Sequence, residues 1–445
     1  MTGKHFLALV IRSGTVKVLG TASVFALSIT LARSLGSAQY GVYVFAFSLL
    51  SFLVLICKLG FPDLTVRETS RLRAVGRNRA LSSFLHFQRR AIFVLSATIL
   101  ITTFAIIYVF LRPHYTNWAV FAIGLPLPFI FSLIAYNQAI MRGSGAIVRG
   151  QLAHQLIRPA IFLLLISVTL FIGKDLSASS VMALHVGASV LVYFWTLIET
   201  RKYIPDTTPV PVSRARMLQW SKSAAVFAGV SVARVINTKF DIIALGLLMS
   251  YSLVGSYAVA AQIATACAAM TFVTSSVVMP SLSSLSVTRD KERLEQLCIQ
   301  SSQISLLSIS ILWVVMFFFG KDILTLVFGG EYAIASETLL ILLTGQAISA
   351  FFGPVGDLMN MRGHEKSTFM VTLSASGINI VLNLVLIPLF GIEGAALATI
   401  LAMSFWNIVL WRKAWLVFGI NSSAIPFQSL LKTPHNKVSQ LEDTQ

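Results

Sequence analysis

Four polar positions at helical spacing, Ser231, Arg234, Asn237 or Thr238, and Asp241, interrupt an otherwise apolar stretch. Their separations of three, six or seven, and ten residues bring them to one face of an α-helix. Two kinds of chemistry suit such a face. The planar fork of Arg234 fits paired oxyanions such as phosphates. Asp241 could take up and release a proton or a sodium ion, since no cation stands three or four residues away to hold it as a fixed pair. Arg234 and Asp241 lie about 10.5 Å apart along a helix axis, too far for a comfortable direct pair. Each is therefore expected to find a partner elsewhere, or water. Lys239, about 140° around the helix from Arg234, belongs to the edge of the stripe. Two readings stand: a stripe in which Arg234, Asn237 and Lys239 line a cavity, or an inter-helix ion pair that fixes packing.

Further polar groups recur on other apolar stretches. Ser48, Ser51 and Lys58 share a face, with Lys58 near an end where its ammonium could reach the interface. Gln346, Ser349, Gly353 and Asp357 share another, broken at Gly353-Pro354. Asp357 joins Asp241 as a candidate for ion coupling, and Lys58 joins the cavity set. Asn379 and Asn383, four residues apart, read as helix–helix hydrogen-bonding groups. The three cysteines, Cys57, Cys267 and Cys298, form no CxxC, and no histidine has metal-ligand spacing. No cofactor, metal or catalytic residue is expected.

These groups need a scaffold that crosses a membrane. Of 445 residues, 56% are hydrophobic and 11% charged, far from the roughly 25% charged of a soluble domain. Apolar segments of spanning length fall at 17–35, 41–61, 91–111, 118–140, 154–173, 178–199, 223–249, 255–280, 301–320, 334–358, 369–390 and 392–415. The chain is thus expected to be all-α, with about twelve transmembrane helices. Its first apolar run lacks a convincing cleavage site and reads as the first of them. Of the 34 lysines and arginines, 27 fall on alternate connections that include both ends, 4 on the others, and Lys58, Arg234 and Lys239 within spans. That bias predicts cytoplasmic termini. It also accounts for the net charge of +17 without nucleic acid.

The two halves look related. Gly41-Val42-Tyr43 and Gly255-Ser256-Tyr257 stand 214 positions apart, Met141-Arg142-Gly143 and Met361-Arg362-Gly363 220 apart, and 180–183 and 395–398 215 apart. Six spans per half make these parallel repeats, two pseudo-symmetric lobes about an axis along the membrane normal. The expected division is an N-terminal lobe over 1–200, a cytoplasmic linker over 201–222 with three prolines, a C-terminal lobe over 223–415 and a tail over 416–445 without fixed structure.

The opening stretch carries a family resemblance. Leu35, Gly36, Tyr40, Gly41 and Tyr43 fit an LGxxxYGxY turn, and Leu59, Gly60, Phe61, Arg67 and Glu68 an LGFxxxxxRE end. In both it resembles the polysaccharide transporters (O-antigen flippases) of the multidrug/oligosaccharidyl-lipid/polysaccharide (MOP) exporter superfamily. The resemblance implies a flippase in the bacterial inner membrane. It would carry a polyprenyl-pyrophosphate oligosaccharide for O-antigen, capsule or exopolysaccharide synthesis, with Arg234 on the pyrophosphate. It would work among membrane lipids and beside a polysaccharide polymerase and co-polymerase. In those relatives an Asp commonly stands at the place of Asp241. A cation-coupled drug exporter of the same superfamily would share the architecture. A glycan polymerase or ligase is disfavoured, since every expected outside loop is short and no nucleophile–base pair is visible.

Overall fold

In the computed structural model the described residues are 3–106, 108–109, 117–268 and 291–426. Among them there are helices and no strands. They run α1 (Gly3–Lys58), α2 (Phe61–Ala74), α3 (Asn78–Ile106), α4 (Trp118–Gly124), α5 (Pro126–Gly143), α6 (Ile147–Leu152), α7 (Arg158–Phe171) and α8 (Ala178–Thr200). The second half follows with α9 (Arg214–Leu248), α10 (251–268), α11 (Lys291–Val327), α12 (Ser336–Phe352), α13 (Val355–Met361) and α14 (Glu365–Phe418). Parts of the expected spans 91–111 and 255–280, and the tail beyond residue 426, lie outside the described residues.

Among the described residues, eight helices are long and apolar enough to cross a membrane. The first and last of these each make two crossings. α14 spans 54 residues, about 81 Å if straight. Yet Trp406 Nε1 donates to Thr372 Oγ1 at 2.9 Å and Lys413 Nζ to Ser367 Oγ at 2.8 Å. Both pairs are centred near Gly391, whose φ of 60° and ψ of −131° reverse the chain. α1 turns in the same way at Gly36, with φ 71° and ψ 169°. Only a residue without Cβ enters such backbone without strain. The expected LGxxxYGxY turn is therefore a single-residue reversal at Gly36. Counting both double crossings, and adding α9 and α10, recovers the expected twelve. Outward faces such as Phe93, Ile101 and Phe104, Leu164 and Phe171, and Phe317 to Phe319 are exposed and apolar, as lipid contact requires.

The halves, α1–α8 and α9–α14, meet at a tight seam. A Cβ on Gly41 would lie 1.8 Å from the Tyr251 carbonyl oxygen, and one on Gly255 would lie 2.2 Å from that of Ser37. Ser37 Oγ and Ser252 Oγ are 2.7 Å apart, at a sequence offset of 215. Ser37 N, an unpaired donor at the restart of α1, donates to Glu331 Oε2 at 2.8 Å. The sequence therefore brings equivalent positions of its two repeats face to face.

Two boundaries differ from expectation. α9 starts at Arg214, inside the stretch read as linker, because Ser213 Oγ accepts from the Arg216 amide at 3.4 Å and caps it. The tail was expected to lack structure from 416 onward, but residues 420–424 are buried. Ser422 Oγ donates to the Phe352 carbonyl and Ala424 N to that of Phe351, both at 2.8 Å. Those carbonyls are orphaned where Gly353-Pro354 ends α12, so the tail supplies the missing donors. Pro434 lies outside the described residues.

Candidate functional site

The seam fixes which way α1 faces. With Gly41 against α10, Tyr43 turns away from the seam, and Phe47, one turn on, stacks on it at 6.2 Å. Lys58 lies eleven residues beyond Phe47, within about 20° of the same face. Opposite, a π-helical turn at Ala153–Ile157 leads into α7 and delivers Arg158 at its start. Such bulges often mark functional positions. The Arg158 guanidinium sits 4.8 Å from the Phe131 ring centroid. It interacts electrostatically with Tyr43, His154, Lys58 and Lys239. Lys239 Nζ stands 5.6 Å over the Phe47 ring.

This places a cationic cluster between the halves: Lys58 and Arg158 from the first, Lys239 from the second. All three are half-buried. Among the described residues no carboxylate is within ion-pair distance of any of them. Asp63 reaches Lys58 only at longer range. Each lysine or arginine at membrane depth costs about 2.5–3.5 kcal/mol on insertion scales, so the cluster needs water or an anion. Its wall is aromatic. Tyr43 Oη lies 2.9 Å from His185 Nδ1, and the His185 ring stacks on Phe162 at 4.5 Å and 13°.

Asp241 faces the other way. Two residues on from Lys239 along α9, it points into the second half and is 8% exposed. Tyr257 Oη donates to Oδ2 at 2.8 Å, Thr399 Oγ1 to Oδ2 at 2.7 Å and Asn383 Nδ2 to Oδ1 at 2.8 Å. Asn383 thus bonds between helices as expected of it, and its target is this carboxylate. The amide oxygens of Asn379 and Asn383 are buried without a hydrogen-bond partner. Three donors from two helices thus converge on this one carboxylate and hold it in place.

The remaining expected residues are more scattered. Ser231 and Asn237 are half-buried on α9, and Thr238 bonds its own helix at Val235 O. Arg234 lies on α9, but its side chain falls outside the described residues. Asp357 stands apart from Asp241 in a small pocket of about 160 Å³ with Ser301, Ser305, Gln346, Ser349 and Trp406. Arg158 is one of the 27 cations expected on the cytoplasmic connections, and His185 has no partner spacing in the sequence. Tyr43 stands there as a repeat marker and in the family motif, and Tyr257 as a repeat marker alone. That repeat was the available signal, because each tyrosine anchors the polar site of its own half.

Comparison with known proteins extends this picture. Residues 10–286 match a family described as polysaccharide biosynthesis protein. The probable low-salt glycan biosynthesis flippase Agl15 of Haloferax volcanii is 24% identical over 241 residues, 54% of this chain and 50% of that protein. The probable flippase AglR of the same organism is 30% identical over 186 residues, 41% of this chain and 39% of that one. The chain spans half or less of the length of these curated relatives. Among solved structures, the lipid II flippase MurJ in an inward closed conformation superposes with TM-score 0.73 at 16% identity, covering 91% of this chain and 86% of that one. An inward-facing multidrug resistance MATE family transporter of the MOP superfamily gives 0.71 at 14% identity, covering 92% and 98%. At these identities the likeness shows the fold, that of a multi-pass membrane transporter.

Proposed function

The chain belongs to the polysaccharide biosynthesis protein family, and on that premise we propose that it is a flippase for a polyprenyl-pyrophosphate oligosaccharide. The observation that carries the reading is the cluster of Lys58, Arg158 and Lys239 on an aromatic wall between the halves, with no carboxylate at ion-pair distance among the described residues. A pyrophosphate head leaving water loses hydration worth many kcal/mol, and guanidinium forks replace it better than any other side chain. Arg234 is proposed to join them. The relatives are named as flippases and transporters, and the proposal assigns no catalytic residue. The membrane is proposed as the cytoplasmic one, with both termini inside and 1–200 and 223–415 as the two lobes. The named flippases are archaeal. The bacterial O-antigen, capsule or exopolysaccharide setting, with polymerase and co-polymerase partners, therefore rests on the opening motifs. The test is reconstitution with a fluorescent polyprenyl-pyrophosphate sugar whose leaflet is read by quenching. Flipping no faster than in protein-free vesicles would sink the proposal; extrusion of a cationic dye instead would favour the drug-exporter reading.

Asp241 is proposed as the coupling site, with sodium as the ion. The buried carboxylate and the hydroxyl oxygens of Tyr257 and Thr399 beside it are hard oxygen ligands of the kind a sodium ion takes. Asp357, in a separate pocket with Ser301, Ser305, Gln346 and Ser349, is a secondary candidate. Flipping that is indifferent to sodium but follows an imposed pH gradient would replace sodium by a proton.

A further inference from the structure

A second cleft, sharing no lining residue with the Arg158 cluster, opens at the end of the molecule where α1 finishes. It encloses about 950 Å³ between α2, the start of α3, residues 210–213 and the start of α9. Four arginines line it, Arg67, Arg71, Arg77 and Arg216, with one carboxylate, Glu68. Glu68 is 3% exposed and pairs with Arg67 at 3.2 Å and Arg71 at 2.9 Å. It therefore orients two guanidiniums and offsets one charge. Arg77 and Arg216 are exposed and, among the described residues, have no carboxylate within ion-pair distance.

The cleft is built rather than draped. Ser82 Oγ donates to the Thr207 carbonyl and Val210 N to Ser83 Oγ, both at 2.8 Å, which pins the connecting segment to α3. Trp220 lines the cleft and is held between Phe84 at 4.9 Å and Phe87 at 5.5 Å. An apolar floor thus meets a cationic rim next to a helix end that leaves the membrane. The volume suits a whole headgroup, within the roughly 300–1,000 Å³ of ligand sites, and far exceeds what inorganic phosphate fills. Three arginines come from the first half and Arg216 from the second, so one anion can touch both.

We propose that this cleft binds the phosphate headgroup of a membrane lipid, with Arg77 and Arg216 as its free guanidinium forks. The inference needs only a chain that spans a membrane and is independent of what the Arg158 cavity carries. It is tested with the purified full-length protein in neutral detergent, following Tm on addition of dioleoylphosphatidylglycerol, undecaprenyl pyrophosphate or inorganic pyrophosphate. The R77Q/R216Q variant changes two exposed side chains and should match wild type without lipid. Arg216→Gln alone serves if the double variant does not. Either lipid should raise wild-type Tm by roughly 3–6 °C at saturating excess, less in high salt. The variant should lose most of the rise with phosphatidylglycerol and, because undecaprenyl pyrophosphate also fits the Arg158 cluster, only part of the rise with that lipid. A response to phosphatidylglycerol identifies a bilayer phospholipid, and one to undecaprenyl pyrophosphate alone identifies the carrier lipid. The proposal is overturned by an equal rise in the variant, by no rise with either lipid, or by a full rise with inorganic pyrophosphate.

Discussion

The two halves put equivalent residues to opposite electrostatic use. Tyr43 and Tyr257 stand 214 positions apart, with His185 beside the first and Thr399 beside the second. In the first half the tyrosine hydroxyl meets His185 beside Arg158, in a setting rich in cations and aromatic rings. In the second, the tyrosine and the threonine both donate to the buried carboxylate of Asp241. Each half thus keeps a tyrosine hydroxyl at this position and sets it beside a different charged partner. α9 serves both sites, presenting Lys239 to one and Asp241 to the other two residues later. A cation bound at Asp241 could in this way bias how α9 presents Lys239, the kind of differential contact that coupling requires.

The largest expected effect tests the cationic side. Arg158→Gln should reduce flipping at least tenfold at normal expression, whereas Arg158→Lys retains charge without the fork and falls in between. Equal activity of Gln and wild type, in a leaflet-resolved assay, would remove the cluster from the substrate path. The acidic side should answer differently. Asp241→Asn should abolish sodium-dependent flipping while leaving binding of the lipid-linked sugar within about twofold, since the carboxylate faces away from the cluster. Loss of binding as well would mean that the two sites are one.

The seam between the halves offers a third, mechanical test. Ser37→Cys with Ser252→Cys places two thiols where the hydroxyl oxygens are 2.7 Å apart. Oxidation should stop flipping, and a reductant should restore it, if this end must open. Continued flipping with the disulfide formed would show that the seam stays shut throughout. Gly41→Ala should act on stability instead. Its Cβ would collide with the Tyr251 carbonyl, and overpacking of this kind costs about 1–3 kcal/mol, visible as a lowered Tm.

Spans and repeats were legible because their signals are long. A bilayer demands about 20 apolar residues, and three short matches in the same order suggested related halves, one of which, Gly41 with Gly255, lies at the seam. Asp241 was legible because an acid in an apolar run is conspicuous. Its ligands were harder: Thr399 and Tyr257 are ordinary residues in a membrane helix until tertiary packing aims them. Arg158 was missed for a related reason. Counted with a basic connection, it looked like an orientation signal, and only the π-helical turn before it and the ring of Phe131 reveal an inward guanidinium. The start of α9 was obscured by the prolines upstream, which hid the Ser213 cap.

The smallest expected effect compares the two tyrosines directly. Tyr43→Phe removes a neutral hydrogen bond to His185, and such bonds contribute about 0.5–1.5 kcal/mol. Tyr257→Phe removes a donor from Asp241, and a bond to an ionised group contributes about 1.5–3 kcal/mol. Neither substitution changes ring packing, so the difference in Tm between the two variants reads the charge state of Asp241 in the resting protein. A clearly larger loss for Tyr257→Phe means an ionised carboxylate, ready for a cation. The gap should then shrink in saturating sodium, because a bound cation takes over part of the stabilisation that the hydroxyl supplied. Equal losses at every sodium concentration would mean that Asp241 already holds a proton, and would move the coupling proposal from sodium to protons.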